Sequence, residues 1–402
     1  MDESSAEFLN SNKTRANGRW DSARLKRERR ENLQAEMKRR GIGATLLADN
    51  LNVEYILGFH IPGGQVFIPP EGEAIAMVRP RDMGYVGLKH QPVILTNYNA
   101  TKAFNVDYSR QVNKFVTGIK DLLEKHGATG KPLAVDGMEV TCLLGLDRAG
   151  VEIINSLPLV EVSRSVKTQD EVEIYHDLGD MYRQVFTLFR DNIKPGVTEK
   201  QLEALVIDAW TKLGNEDILQ INVCAGENMN PWRRWATDRP LKEGEFVGMD
   251  FHGRVDHGLL GDGSRTYLVG HNPTQAQRDL YRQAWEYVQA VGDCVQAGRS
   301  YADVIELLPP VPPKFQAQQD NYHVVHAIGI VPQGYPKVDR LGTPNDDTFK
   351  ENQILSIECF FGEEGSDVAV KLEEIIRVRQ GPPEFITGRV PYEESVIPAG
   401  QA

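Results

Sequence analysis

The sequence predicts an α+β protein of two domains, an N-terminal α/β domain followed by a C-terminal domain that contains antiparallel hairpins. Its 402 residues, 41% of them hydrophobic and 25% charged, are enough to bury two cores. In residues 21–163 short apolar runs alternate with helical patterns, which indicates a mixed sheet flanked by helices. In residues 164–402 apolar strands come in pairs separated by turns, which indicates hairpins.

The N-terminal part consists of an arm and a domain. Residues 1–20 are polar, and we expect them to form a flexible arm. The domain, residues 21–163, begins with a charged helix at 21–40 whose basic side chains are typical of a solvated face. Short apolar runs, which we interpret as strands, follow at 44–48, 53–59, 65–68, 74–78, 93–95 and 133–135, and helices are predicted near 109–126 and 138–150.

The C-terminal domain, residues 164–402, begins with a long amphipathic helix. Thr168, with Glu171 three residues later, forms a capping box at its start, and Pro195 lies beyond its end. The remaining predicted elements are a helix at 199–213, a strand at 219–224, a hairpin at 248–270, a helix at 274–296 and apolar segments at 322–331, 353–361 and 368–378.

The hairpin, GMDFHGRVDHGLLGDGSRTYLVG, carries an aspartate in each arm. Asp250 and Asp262 both lie in apolar surroundings, and a hairpin brings such residues within a few ångströms of each other. Two buried carboxylates with no cation between them repel each other and lose hydration. Either one carboxylate is protonated or a metal ion lies between the two, and we favour the metal.

The last three apolar segments each add one residue of a type that binds metals. These residues are His326, Glu358 and Glu373, and a turn at 362–366 makes the two glutamates face each other. Together with Asp250 and Asp262 they provide four carboxylates and one imidazole. Such a set suits two divalent ions of manganese, iron, cobalt or zinc.

The order of these ligands resembles that of the methionine aminopeptidase, prolidase and creatinase superfamily. Asp262 begins the motif Asp-Gly-Ser-Arg-Thr, and Glu373 lies in the motif Leu-Glu-Glu. The resemblance covers residues 165–387 and extends more loosely to the N-terminal domain. It implies a C-terminal pita-bread catalytic domain, an N-terminal creatinase-like domain, a homodimer, and an Arg265 that orients the ligand strand.

Two departures from the peptidases of that superfamily concern substrate binding. The peptidases have a histidine after a proline before the first aspartate, where this chain has Asn-Pro-Trp-Arg-Arg-Trp at 230–235. They have another in a His-Glu-x-Pro context, where this chain has Val-Pro-Gln-Gly-Tyr-Pro at 331–336. The Asn-Pro-Trp and the aspartate spacing are similar to those of dimethylsulfoniopropionate lyases of this fold, which cleave a carbon–sulfur bond. Those lyases have an aspartate where this chain has His252 and an acidic residue in place of Pro332.

The residues 232–235 are candidates for substrate binding. Arginine suits a substrate carboxylate and tryptophan suits an onium group, so Trp232, Arg233 and Trp235 predict a small zwitterionic substrate. The alternative is a surface or dimer-contact loop, because tryptophan and arginine also favour interfaces. His323, close to the metal-type His326, either contacts substrate or is structural.

The catalytic candidates are His252, Glu358 and Tyr322. Alternation along the strand places His252 on the same face as Asp250, where it is an additional ligand, a proton carrier or a histidine hydrogen-bonded beside the site. In a hydrolysis the ions would acidify water and Glu358 would relay a proton. In an elimination a metal would hold the substrate carboxylate, and one of the three candidates would remove the neighbouring C–H proton.

Composition and charge exclude several kinds of partner. The net charge is −12, and basic residues concentrate only between positions 13 and 40, so we expect no nucleic-acid partner. No apolar run reaches membrane-spanning length, and residues 1–18 lack the apolar core of a secretory signal. The four cysteines, Cys142, Cys224, Cys294 and Cys359, are widely spaced and interpreted as packing residues. We therefore expect a cytoplasmic protein with a small-molecule substrate.

Three classes of function agree with these observations. The first is a metal-dependent lyase or hydrolase of a small, carboxylate-bearing non-peptide substrate, which the missing peptidase histidines favour. The second is an Xaa-Pro dipeptidase, which the resemblance to prolidases favours. The third is a binding protein that has lost catalysis, and the complete set of five ligands argues against it.

Overall fold

The structure is a computed structural model, and it describes residues 19–61, 63–78, 82–84, 86, 94–96, 109–215, 217–320, 322–339, 347–389 and 392. The chain divides into two compact units, with the border between Arg164 and Ser165. The sequence suggested a border one residue earlier. Most of the expected arm, residues 1–18, lies outside the described residues. Arg19 and Trp20 belong to the second unit, where the ring of Trp20 lies 5.0 Å from that of His257.

The N-terminal unit is a mixed sheet with helices, as the alternating pattern predicts. Its helices are α1 (Ser22–Arg40), α2 (Asn50–Leu57), α3 (Ser109–Lys125), α4 (Val140–Arg148) and α5 (Leu157–Ser165), the last of which reaches the border. Its strands are β1 (Ala44–Leu47), β2 (Gln65–Ile68), β3 (Ile75–Met77), β4 (Ile94–Thr96), β5 (Leu133–Val135) and β6 (Ile153–Asn155). Their order is β4-β3-β2-β1-β5-β6, and both parallel and antiparallel pairs occur. Its core contains Phe67, Phe115 and Leu133.

One predicted strand is wrong. The apolar run at 53–59 belongs to helix α2, because the side chain of Asp49 accepts hydrogen bonds from the amides of Leu51 and Asn52 and thereby caps a helix start. Gly58 then ends the helix with a positive φ of 75°. An apolar run of this length is compatible with either a strand or a buried helix, and the two caps decide.

The C-terminal unit contains a larger sheet that carries the predicted site. Its strands are β7 (Ile218–Ala225), β8 (Phe246–Gly253), β9 (Gly263–Leu268), β10 (Val325–Ala327), β11 (Gly334–Val338), β12 (Ile354–Gly362), β13 (Ala369–Arg377) and β14 (Glu384–Phe385). The order is β11-β10-β12-β13-β9-β8-β7, and β14 pairs with β13. The pairs within this sheet, such as β8 with β9 and β12 with β13, are antiparallel.

The structure describes five α-helices in this unit, and all but the last begin with a capping box. They are α6 (Gln169–Asp191), α7 (Glu199–Lys212), α8 (Gln275–Cys294), α9 (Tyr301–Leu307) and α10 (Pro313–Gln319). The capping box of Thr168 and Glu171 is present at the start of α6, as predicted. The short helices α9 and α10 were not predicted. The segment predicted as a strand at 322–331 is one only at Val325–Ala327.

Two hairpins set the register of the site. In the β8–β9 hairpin Asp250 pairs with Ser264, so Asp262 precedes the paired part of β9. Helix α6 packs against the loop end of this hairpin, since Tyr182 donates to the carbonyl of Phe251. In the β12–β13 hairpin Glu358 lies opposite Glu373, and Glu373 is in turn paired with Ser264. The two hairpins therefore lie side by side with their acidic residues at one level.

Of the helices in the described part of the chain, none combines the length and the apolar character needed to cross a lipid bilayer.

Candidate metal centre

The five predicted metal ligands converge in the C-terminal unit. Each comes from a different segment: β8, the residue before β9, β10, β12 and β13. All of them are buried, with exposed fractions between 1% and 5%. They are Asp250, Asp262, His326, Glu358 and Glu373.

One group of donor atoms surrounds the imidazole of His326. Its Nε2 atom lies 3.4 Å from Oε1 of Glu358, 3.5 Å from Oε1 of Glu373 and 3.9 Å from Oδ2 of Asp262. Ser356 donates a hydrogen bond of 2.6 Å to the same Oε1 of Glu373 and orients it. One ligand atom each from Asp262, His326 and Glu373 lies within 4.8 Å of the others, as donors to one metal ion do.

A second group of donor atoms lies on the other side of Asp262. Asp250, His252 and Asp262 also offer atoms within 4.8 Å of one another. Nε2 of His252 is 2.9 Å from Oδ1 of Asp262 and 4.0 Å from Oδ1 of Asp250. Because Asp262 belongs to both groups, its two oxygens face opposite neighbours.

Lys371 is a member of the site that the sequence analysis missed. Its Nζ atom lies 2.9 Å from Oε2 of Glu373, 3.1 Å from Oε2 of Glu358 and 3.5 Å from Oδ2 of Asp250. The backbone of Lys371 is fixed by Thr266, whose hydroxyl donates to its carbonyl and accepts from its amide. The signal was present in the sequence, because Lys371 is two residues before Glu373 and alternation places both on one face.

Negative charge exceeds positive charge among these side chains. Burial, with the charge of Glu373, raises the pKa of Asp262 to about 7 although His252 opposes the shift. Burial also raises the pKa of Asp250, against the ammonium of Lys371. The pKa of Glu373 is lowered, because Lys371 and His326 outweigh the effect of burial.

The neighbouring carboxylates raise the pKa values of the three cationic groups, His252, His326 and Lys371, against the effect of burial. Burial alone would lower the pKa of His252, but the carboxylates of Asp262 and Asp250 raise it to about 9. His326 has a raised pKa because its hydrogen bonds to Glu358 and Glu373 outweigh burial. The pKa of Lys371 is also raised, against burial, by the carboxylates around it. Even three cationic side chains therefore leave two aspartates with raised pKa values.

These residues fit divalent metal ions. The donors are carboxylate oxygens and imidazole nitrogens, the ligands preferred by manganese, iron, cobalt and zinc. Within the described part of the chain, the buried atoms Asp250 Oδ1 and His326 Nδ1 have no hydrogen-bond partner. A divalent cation would accept the free lone pair of Asp250 and offset the excess negative charge.

The metal centre forms one wall of a cavity of about 290 Å³. Trp232, Tyr322 and His323, which were predicted from sequence, line it, and so do Pro332 and Gln333. Arg233 and Trp235 are not among its described lining residues, and Trp235 is 73% exposed.

Arg234, rather than Arg233, lines the cavity. Its φ of 74° is in the left-handed region, which breaks the alternation that extended backbone would show. The sequence alone could not reveal this turn, since arginine gives no sign of a positive φ. The structure therefore brings Arg234 to the cavity and leaves Arg233 and Trp235 outside its described lining.

Aromatic rings form another wall of the cavity. Tyr322 stacks on Phe360 with 4.7 Å between ring centroids, and Trp232 meets the same ring edge-on at 6.1 Å. Trp232 also lies against Gly248, where a Cβ atom would come within 2.9 Å of its ring, so only glycine fits there. Burial raises the pKa of Tyr322 to about 12, so its hydroxyl is protonated near neutral pH.

His323 is held at the edge of the cavity by two partners. Its Nδ1 lies 2.8 Å from Oδ1 of Asp339, and its Nε2 lies 2.8 Å from Oε1 of Gln333. Neither nitrogen points at the ligand carboxylates, although the ring lies 5.8 Å from that of His326. The structure thus brings His323 to the cavity and keeps it apart from the metal-type donors.

The cysteines nearest the site are buried thiols. Burial raises the pKa of Cys224 to about 12 and raises that of Cys359 as well. All four cysteines are free. A thiol with a raised pKa is a poor nucleophile, so these two residues serve packing.

Comparisons with known families agree with this architecture. Residues 173–380 match the model of metallopeptidase family M24, and residues 29–166 match the creatinase/prolidase N-terminal domain. Among solved structures, the Xaa-Pro dipeptidase from Bacillus anthracis has a TM-score of 0.76 at 20% identity and covers 92% of this chain and 100% of its own. Dipeptidase PepE from Mycobacterium ulcerans has a TM-score of 0.76 at 19% identity, with coverages of 94% and 100%. These likenesses confirm the pita-bread fold.

Another relative is named as a lyase and not as a peptidase. The dimethylsulfoniopropionate lyase DddP of Roseobacter denitrificans is 22% identical over 399 residues, which cover 94% of this chain and 88% of the relative. The family match includes the segments that carry all five carboxylate and imidazole ligands. The chain therefore belongs to metallopeptidase family M24 and is a metal-dependent enzyme.

Proposed function

We propose that the protein binds two divalent metal ions and cleaves a small, carboxylate-bearing non-peptide substrate, with carbon–sulfur elimination as the preferred chemistry. The observation that carries the proposal is the composition of the cavity. Metal-type donors form one wall, while Arg234 and Trp232 line another. An acid-binding group and an aromatic ring beside a metal centre suit a zwitterion with a carboxylate and an onium group.

Asp262 is the residue that would join the two ions. One of its oxygens faces His252 and the other faces His326, so a single carboxylate can contribute to both sites. Asp250 would contribute to one site, and Glu358 and Glu373 would contribute to the other. When bound, the ions supply Lewis-acid stabilisation of the negative charge that develops on the substrate.

The other residues of the cavity bind and orient the substrate. The guanidinium of Arg234 would pair with the substrate carboxylate, and the ring of Trp232 would face the onium group. Tyr322, which stacks on Phe360, adds an aromatic surface to the cavity. This division assigns recognition to the loop at 230–236 and charge stabilisation to the strands.

Proton transfer is assigned to Glu358. Its Oε1 lies 3.4 Å from Nε2 of His326 and its Oε2 lies 3.1 Å from Nζ of Lys371, so both oxygens of the carboxylate that accepts the proton are held in place. Tyr322, with its raised pKa, is unsuited to the role of base near neutral pH. In the elimination, Glu358 takes the proton from the carbon next to the carboxylate. The C–H electron pair forms a C=C bond, and the sulfur leaves with the electrons of the C–S bond.

A substrate panel tests this proposal. Purified protein, with its metal content measured, is incubated with dimethylsulfoniopropionate, a quaternary ammonium carboxylate, Gly-Pro and Ala-Pro. We expect turnover of the sulfonium carboxylate by the wild type and none by Asp262→Asn. Cleavage of the proline dipeptides alone would instead assign the Xaa-Pro dipeptidase activity named for the B. anthracis structure. Turnover of no substrate by metal-loaded protein would favour a binding protein.

The quaternary structure and the compartment are part of the same proposal. We infer a homodimer in the cytoplasm, and the four free cysteines agree with a reducing compartment. Light scattering during gel filtration would give twice the mass of one chain for a dimer. A mass equal to one chain would contradict it.

A further inference from the structure

We propose that His252 is a ligand of the ion held by Asp250 and Asp262, so that each of the two ions is bound by one imidazole. This gives the first site a donor set that favours zinc or iron over manganese. The inference rests on the proposed function, because it requires two ions. It adds a sixth ligand and a metal preference.

Asp250 can offer only one of its carboxylate oxygens to a metal ion. Its Oδ2 atom accepts a hydrogen bond of 3.1 Å from Nδ2 of Asn222 and lies 3.5 Å from Nζ of Lys371. Its Oδ1 atom is buried, and among the described residues it has no hydrogen-bond partner. The free Oδ1 faces His252, whose Nε2 is 4.0 Å away. A site that draws one oxygen from Asp250 needs another donor, and His252 is in place to provide it.

The carboxylate of Asp262 lies between the imidazoles of His252 and His326. Its Oδ1 atom is 2.9 Å from Nε2 of His252, and its Oδ2 atom is 3.9 Å from Nε2 of His326. Each imidazole therefore faces a different oxygen of the same carboxylate. An ion held by His326 would take the second oxygen, and the first oxygen and His252 would remain available to the other ion.

Strand β8 and burial fix the position of the His252 ring. Alternation along β8 places it on the same face as Asp250, and the strand fixes its backbone opposite Gln220. The side chain is buried, so the ring is not free to turn toward solvent. One donor atom each from Asp250, His252 and Asp262 lies within 4.8 Å of the others, which is the spacing of ligands around one ion.

The donor set determines which metal the site prefers. Imidazole nitrogen suits zinc, iron and copper, whereas sites made only of carboxylate oxygens suit magnesium, calcium and manganese. Replacing His252 by an aspartate would convert the first site to oxygen donors alone. The preference for zinc over manganese should then fall, while both sites still bind an ion.

Metal content provides the test, independently of activity. Protein stripped with a chelator is incubated with Zn²⁺ or Mn²⁺, passed through gel filtration and analysed by mass spectrometry for metal per chain. We expect two zinc ions in the wild type and one in His252→Asn, with the affinity of the lost ion reduced at least about 100-fold. His252→Asp should bind two ions, and its Zn²⁺/Mn²⁺ affinity ratio should fall at least about tenfold relative to the wild type.

The matched control is His323→Asn, which removes another histidine of the same cavity. His323 faces Asp339 and Gln333 instead of the aspartates, so this variant should bind two ions like the wild type. Two zinc ions of unchanged affinity in His252→Asn would overturn the inference. If that variant does not fold, an unchanged Zn²⁺/Mn²⁺ ratio in His252→Asp would overturn it. A wild type without two ions would contradict the proposed function itself.

Discussion

Two neighbouring glutamates on strand β13 have opposite surroundings. Glu373 faces the cavity, where it meets Lys371, His326 and a hydroxyl among three other carboxylates. Glu374 points to the other side of the strand, where Oε2 accepts from Arg265 at 2.8 Å and from the hydroxyl of Thr387 at 2.5 Å. Both glutamates are buried. They differ in the balance of charge around them.

The carboxylate of Glu374 has a guanidinium and a hydroxyl as partners, whereas carboxylates outnumber the cationic groups on the side of Glu373. Arg265 also donates to the carbonyl of Glu373 at 2.7 Å and lies over the ring of Phe186, so it fixes β13 from behind. The paired side has no need of a further cation. On the side of Glu373, burial and the neighbouring carboxylates raise the pKa values of Asp250 and Asp262, an effect that a bound divalent cation would oppose. Burial of acids therefore marks a metal site only where their charge is not offset.

The largest expected effect that separates the two residues is that of Glu373→Gln. This change removes a carboxylate from the site around His326, so the ion there should be lost. Because metal ions contribute several kcal/mol of transition-state stabilisation, kcat/KM should fall about a thousand-fold. Activity and metal content measured on the same preparation check this. Full metal content in this variant would contradict the assignment of Glu373, in contrast to Glu374, as a metal ligand.

Glu374→Gln should instead reduce stability. The change leaves the buried guanidinium of Arg265 without its carboxylate, and breaking such a pair from one side costs about 3 to 5 kcal/mol. Denaturant unfolding would measure the loss. At saturating metal the variant should still bind two ions per chain, and loss of both ions with unchanged stability would reverse the assignment of the two sides.

Removal of metal should also distinguish Glu373 from Glu374. Ions that bind only the folded chain stabilise it by about 2.7 kcal/mol at a concentration of 100 Kd. A chelator should therefore lower the Tm of the wild type and of Glu374→Gln by similar amounts. It should change the Tm of Glu373→Gln less, because that variant has already lost an ion. Equal shifts in all three proteins would show that Glu373 does not hold metal.

The smallest expected effect concerns two tryptophans of the loop at 230–236. Trp232 lines the cavity, whereas Trp235 is exposed to solvent. Trp232→Ala should raise KM for an onium carboxylate about 5- to 30-fold, which corresponds to about 1 to 2 kcal/mol of cation–π attraction. Trp235→Ala should leave KM unchanged, because this ring is exposed and lies outside the cavity lining. Steady-state kinetics with the sulfonium substrate distinguish the two. An unchanged KM in Trp232→Ala would remove this residue from the substrate site.

The sequence was sufficient to predict features that follow from alternation and pairing. The hairpin at 248–270 and the pairing of Glu358 with Glu373 depend on the repeat of two residues along a strand and on the turns between strands. The long helix that begins after Thr168 depends on its capping box. The pita-bread fold was predicted from the ligand order and is confirmed by the matches to family M24 and to the dipeptidase structures.

Features set by loop conformation or by charge were missed or left open. Arg234 reaches the cavity through a positive φ that no local pattern indicates. Lys371 was overlooked because a lysine in a strand is usually taken as exposed, and only the number of carboxylates around it explains its burial. The helix at Asn50–Leu57 was interpreted as a strand, since a short apolar run has no period that separates the two.

The central claim is that Asp262 lies between two metal ions. The most direct measurement is the number of metal ions per chain in the wild type and in Asp262→Asn, with activity toward the sulfonium carboxylate measured on the same samples. We expect two ions and turnover in the wild type, and loss of both the ions and the turnover in the variant. A wild type that is free of metal and fully active, or a variant that keeps two ions, would contradict it.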